Sequence, residues 1–97
     1  MQQFDDIMAH LRALQPELRR RYPIRAMGVF GSYARGEQTP DSDLDIMVDL
    51  GEGMTLPDYA GLQMELSAAL GVKVDLANKK ALKRRIGGRI LTEVKMM

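Results

Sequence analysis

The chain has 97 residues, enough for one modest core, with 45% apolar residues, 28% charged residues and a net charge of +1. So small a positive balance argues against long nucleic acid as the main partner. With no cysteine there is no disulfide framework, thiolate zinc site or thiol nucleophile, and a single histidine, His10, rules out histidine-rich metal sites.

The first predicted element is an amphipathic helix from about residue 3 to 21. Phe4, Ile7, Met8, Leu11, Leu14 and Leu18 recur at helical spacing and form one stripe. Asp5 and Asp6 in the first turn and Arg19, Arg20 and Arg21 in the last suit the helix dipole. Pro16 should kink or split this helix, and Pro23 ends it. Ile24 to Phe30 reads as a short strand closed by Gly31. Ser32 to Arg35 can form a helical turn stopped by Gly36, and QTPDS (Gln38 to Ser42) is a loop by composition.

Leu44 to Leu50 is a second strand with clear alternation. Leu44, Ile46 and Val48 face one side, and Asp43, Asp45, Met47 and Asp49 the other. After the Gly51-Glu52-Gly53 loop, Thr55-Leu56-Pro57-Asp58 has the form of a capped helix start. Tyr59, Leu62, Leu66 and Leu70 continue the helix to a stop at Gly71. Val72 to Leu76 is a third strand, with Lys73 and Asp75 opposite Val72, Val74 and Leu76. Leu82, Ile86, Ile90 and Val94, at four-residue steps, predict a last helix interrupted by Gly87-Gly88. The expected fold is α/β (α+β): a small mixed β-sheet with helices packed on one face and acids on the other. No interdomain linker is visible, so residues 1–97 read as one domain, with a helical segment over 1–22 and a core over 24–97.

Asp43 and Asp45 project from one strand face with α-carbons about 6.6 Å apart. Asp75 can reach the same point if the second and third strands are neighbours. Holding unit negative charges ~4 Å apart costs on the order of 4 kcal/mol per pair at an effective dielectric of 20. A divalent cation is the usual remedy, and all-oxygen ligands favour magnesium, calcium or manganese. Gly31 lets backbone approach a phosphate, and Ser32 can present N–H groups and a hydroxyl to it. Arg35 is a candidate second contact. A phosphate-gripping turn beside a metal cluster is what in-line attack on an α-phosphate requires, with Asp75 as metal ligand, general base or both.

GSYARGE, SDLDIMVDL and KVDLA together resemble the nucleotidyltransferase superfamily typified by DNA polymerase beta. The signature is Gly-Ser, ten residues, Asp-X-Asp, then a third acid on a later strand. It falls on Gly31, Ser32, Asp43, Asp45 and Asp75. At this length the chain most resembles minimal nucleotidyltransferase (MNT) proteins, and the resemblance runs from Ile24 to the C-terminus. It implies an antitoxin that transfers AMP from ATP to a tyrosine of a HEPN-domain RNase toxin, in a hetero-oligomer. By the same likeness Asp43 and Asp45 hold two magnesium ions, Asp75 completes the site, and Gly31 and Ser32 hold the triphosphate. The alternative is an antitoxin that neutralises its partner by binding alone.

Asp49 reads as a solvated strand residue, His10 as non-catalytic and Arg19–Arg21 as a solvated helix end. Tyr33 can border the nucleotide or pack on the sheet. No apolar run approaches the roughly 18 residues of a membrane span. The acidic N-terminus does not resemble a secretory signal, so the expected location is the cytoplasm.

Overall fold

A computed structural model describes residues 4–81 and 94–96. In chain order the elements are α1 (Phe4–Arg21), β1 (Ile24–Phe30), α2 (Ser32–Arg35), β2 (Leu44–Leu50), α3 (Leu56–Leu70), β3 (Val74–Asn78) and β4 (Lys95–Met96). The strands form one sheet in the order β3-β2-β1-β4. β1 is antiparallel to both β2 and β4, while β2 and β3 run parallel, joined by the α3 crossover. The expected mixed sheet with helices on one face is the architecture found.

Strand alternation sorts the two faces. Leu44, Ile46 and Val48 of β2 are fully buried, with Met27 and Val29 of β1 and Val74 and Leu76 of β3 beside them. Ile7, Leu11 and Leu18 of α1 and Leu62, Leu66 and Leu70 of α3 close over this face. Truncating one of these, Ile46 for instance, to alanine would cost roughly 2–5 kcal/mol. The other face carries Asp45, Met47 and Asp49 of β2, paired across β1 with Phe30, Gly28 and Ala26.

α1 remains one helix through Pro16. Pro16 is exposed, so the carbonyl deprived of its donor, that of Arg12, lies on the solvent side where water can satisfy it. α3 begins at the expected cap. Thr55 accepts from the Asp58 N–H at 3.2 Å, and Asp58 accepts from the Thr55 N–H at 3.3 Å.

The third strand starts two residues later than Val72 and ends at Asn78. Pairing explains the shift: β2 begins at Leu44, whose partner is Val74, so Val72 and Lys73 have no β2 residue opposite them. Val94 stands just before a short strand rather than continuing a helix. The close passage is possible because residue 28 is glycine; a Cβ there would lie 2.6 Å from Val94 Cγ1 and 2.8 Å from Met96 Sδ. The helix expected over Leu82, Ile86 and Ile90 falls outside the described residues.

Among the described residues β3 is an edge strand, yet three of its outward backbone groups are occupied. Ser67 Oγ accepts from the Val74 N–H at 3.0 Å, and Gln63 Oε1 accepts from the Leu76 N–H at 3.0 Å. The Tyr59 hydroxyl donates to the Leu76 carbonyl at 2.8 Å. These residues recur every four positions on α3, so one helix face fastens the strand that carries Asp75.

Candidate active site

Three elements meet where β1 ends. Gly31 follows β1 and caps α2, with φ 75° and ψ −152°. Only glycine adopts that conformation readily. Space makes a second demand, because a Cβ on Gly31 would overlap Oδ2 of Asp45. Thus the carboxylate of Asp45 lies directly over the bend that begins with Gly31 and Ser32. Both residues are half-buried, and the bend is fastened by the Arg35 N–H donating to the Gly31 carbonyl at 3.1 Å.

Asp45 pairs with Asp75 in the parallel β2–β3 ladder. Paired residues of neighbouring strands share a face, with backbones about 4.8 Å apart. Asp43 precedes β2 by one residue and has the same parity as Asp45. The electrostatic consequence appears at the middle carboxylate. The pKa of Asp45 is raised to about 6, first by burial, then by the charges of Asp75 and Asp43, against a lowering influence from Arg35. Phe30 stands opposite Asp45 on β1, on the same face. It is only partly exposed and lies outside the main apolar cluster, so it adds to the dry setting of that carboxyl.

Arg35 is exposed, with its Nε 3.5 Å from Glu37 Oε2. Of the residues picked from sequence, Gly31 lies against Asp45, Ser32 follows it, Asp75 pairs with Asp45 across the strands, and Asp43, Asp75 and Arg35 are felt electrostatically by Asp45. Asp49 is drawn off by an ion pair to Lys79, at 3.9 Å. Tyr33 is 3% exposed and packs in the core, which removes it from the nucleotide side. Sequence reasoning passed over Phe30 and Glu37. Strand parity places Phe30 on the acid side; for Glu37 there was no periodic signal.

Among the described residues, no three Asp, Glu, His or Cys side chains close on a point by themselves as a ready-made metal cage. Magnesium does not require one. It takes one or two carboxylates, keeps waters and recruits substrate phosphate oxygens. The donor set of Asp43, Asp45 and Asp75 is all oxygen, and a cation would relieve the burial and like-charge repulsion that disfavour the Asp45 carboxylate, so the residues fit that ion.

Comparison with known proteins shows the family. The nucleotidyltransferase domain family matches residues 11–96. The protein adenylyltransferase MntA of Thermococcus cleftensis is 46% identical over 90 residues, covering 93% of this chain and 91% of that protein. A solved minimal nucleotidyltransferase superposes with a TM-score of 0.80 at 38% identity, over 96% of this chain and 94% of its own. A toxin–antitoxin crystal structure with AMP-PNP superposes at 0.69 with 26% identity, over 96% of this chain and 70% of that one.

Proposed function

The chain belongs to the nucleotidyltransferase domain family and is a nucleotidyltransferase, and from that premise we propose that it is an antitoxin that transfers AMP from ATP to a tyrosine hydroxyl of a HEPN-type RNase toxin. The observation that carries this reading is the Asp45 carboxyl, pressed against Gly31 and raised to about 6 between Asp75 and Asp43. Protein acceptors are supported by the similarity to a protein adenylyltransferase, and an ATP donor by the similarity to a toxin–antitoxin structure holding AMP-PNP.

In this reading Gly31 and Ser32 hold the triphosphate, and Arg35 contacts its tail. Asp43, Asp45 and Asp75 would hold magnesium, which neutralises charge on the phosphates and the leaving group when bound. The tyrosine oxygen attacks the α-phosphorus in line. Its bond to phosphorus forms as the bond to the bridging oxygen breaks, pyrophosphate departs, and the phenolic proton passes to the Asp75 carboxylate. Phe30 and the buried flank of Asp45 keep bulk water from that phosphorus.

The test is incubation of the purified chain with ATP, magnesium and the protein encoded beside its gene, followed by intact mass of that protein. Stepwise addition of AMP, abolished by EDTA and mapped to tyrosine, is the expected result. An unmodified toxin that is nonetheless inhibited would overturn the catalytic reading in favour of masking by contact.

A further inference from the structure

The two long helices present opposite kinds of surface. Outward on α1 lie Asp5, Asp6, Arg12, Glu17 and Arg20, all exposed and charged. On α3 the exposed positions are Leu56, Pro57, Asp58, Ala60, Met64 and Ala68, and the only charge, Asp58, is engaged in the helix cap. Leu56 is 85% exposed and Met64 72%. Leu56, Ala60, Met64 and Ala68 lie every four residues, an uncharged stripe about 18 Å long. Two large apolar side chains left in water on one helix, alternating with alanines that let another backbone approach, mark a contact surface.

Helical arithmetic places the stripe. Tyr59, Gln63 and Ser67 face the outer edge of β3. Each stripe residue from Ala60 onward follows one of these by 100°, turned away from the core residues Leu62 and Leu66. The stripe therefore flanks the sheet just outside β3, the strand of Asp75. Near its start opens a cavity of about 630 Å³ lined in part by Met54, Leu56, Tyr59 and Lys80.

The chemistry selects the occupant. In-line displacement puts the attacking oxygen opposite the departing pyrophosphate. With phosphates on the β1 side, at Gly31 and Ser32, the acceptor enters from the β3 side, beside Asp75. We propose that the exposed flank of α3, from Leu56 to Ala68, is the docking surface for the acceptor protein, and that the Tyr59–Gln63–Ser67 ladder fixes the distance between docking and chemistry. This rests on the assigned reaction and adds where its protein substrate is gripped: an apolar helical ridge of the toxin, with an anchoring side chain in the cavity beside Leu56.

The experiment compares the wild-type chain with Met64→Glu and Ala60→Arg, both on exposed positions away from the site, and with Ala13→Glu on the outer face of α1. The probe is the HEPN-type RNase toxin of the proposed reaction. Binding is measured by calorimetry without ATP, and AMP transfer by intact mass across a toxin titration. The expected result is a toxin Kd and a toxin KM raised at least ten-fold in both α3 variants, with the KM for magnesium-ATP unchanged and Ala13→Glu like wild type. An unchanged toxin Kd in both α3 variants overturns the proposal. So does a wild-type homodimer, seen by light scattering, that Met64→Glu dissociates while toxin affinity stays the same; the stripe then serves a second copy. Should the wild type bind toxin without adding AMP, the catalytic reading fails, and the ten-fold loss of binding in the α3 variants still supports the docking surface.

Discussion

Glu65 and Asp45 are both half-buried carboxylates at the margin of the core, and their surroundings treat them in opposite ways. Glu65 receives hydrogen bonds from Arg21 and from the Tyr22 hydroxyl, the latter at 3.2 Å, and its pKa is held down chiefly by the Arg21 contact. It ties α3 to the end of α1. Asp45 is pushed up to about 6, first by burial and then by the like charges of Asp75 and Asp43, against a smaller pull from Arg35. The contrast separates an acid whose charge is answered within the chain from one whose charged form burial and like charges disfavour more than Arg35 favours it, the pattern of a candidate functional group.

The hardest test of that contrast is Asp45→Asn. It should lower AMP transfer by about a thousand-fold or more, the scale of losing a principal electrostatic group, while the melting temperature of the metal-free chain at pH 7.5 stays equal or rises. Loss of stability together with activity would make Asp45 a second Glu65. Gly31→Ala should cost about 1–3 kcal/mol in urea denaturation from the backbone conformation alone, with further loss from overlap with Asp45. Nucleotide affinity, by titration, should fall with it.

Titration sharpens the comparison. A protonated Asp45 is favoured by the fold, so its contribution to stability is full below the ordinary carboxylate pKa and is lost as pH rises through about 6. Glu65 acts in the opposite sense, stabilising above the ordinary value and losing that effect as pH falls through its lowered pKa. Melting curves from pH 3 to 7.5 should therefore show wild type losing stability relative to Asp45→Asn between pH 4 and 7, and gaining it relative to Glu65→Gln between pH 3 and 5. The same protonation should weaken magnesium binding below about pH 6. The smallest effect is that of Glu65→Gln at neutral pH. It should lower the melting temperature by only a few degrees, fading in high salt, with AMP transfer intact.

The site was largely legible because its logic is local. Parity along β2 puts Asp43 and Asp45 on one side and Leu44, Ile46 and Val48 on the other without knowledge of any other strand. Gly31 and Ser32 follow a strand whose ends, Ile24 and Phe30, are found where pattern and turn residues place them. What escaped depends on pairing between distant segments. Asp75 is expected near Asp45 on the condition that the second and third strands are neighbours; the pairing of Leu44 with Val74 meets that condition, and the same register moves the strand away from Val72. Burial of Tyr33 needs the fold around α2, and the two-residue β4 exists only because Gly28 leaves room for it. The roles of Gln63 and Ser67 are invisible until β3 is known to be outermost.

Those side chains have an effect beyond anchoring. A lone edge strand invites another chain to add itself in cross-strand fashion, the first step toward fibrils and precipitates. Here the invitation is weakened on one side, since two of the amides and one of the carbonyls a stray strand would seek are already spoken for by serine, glutamine and tyrosine. Substituting Gln63 and Ser67 with alanine should leave the chain folded but prone to self-association on concentration, a failure of solubility rather than of chemistry.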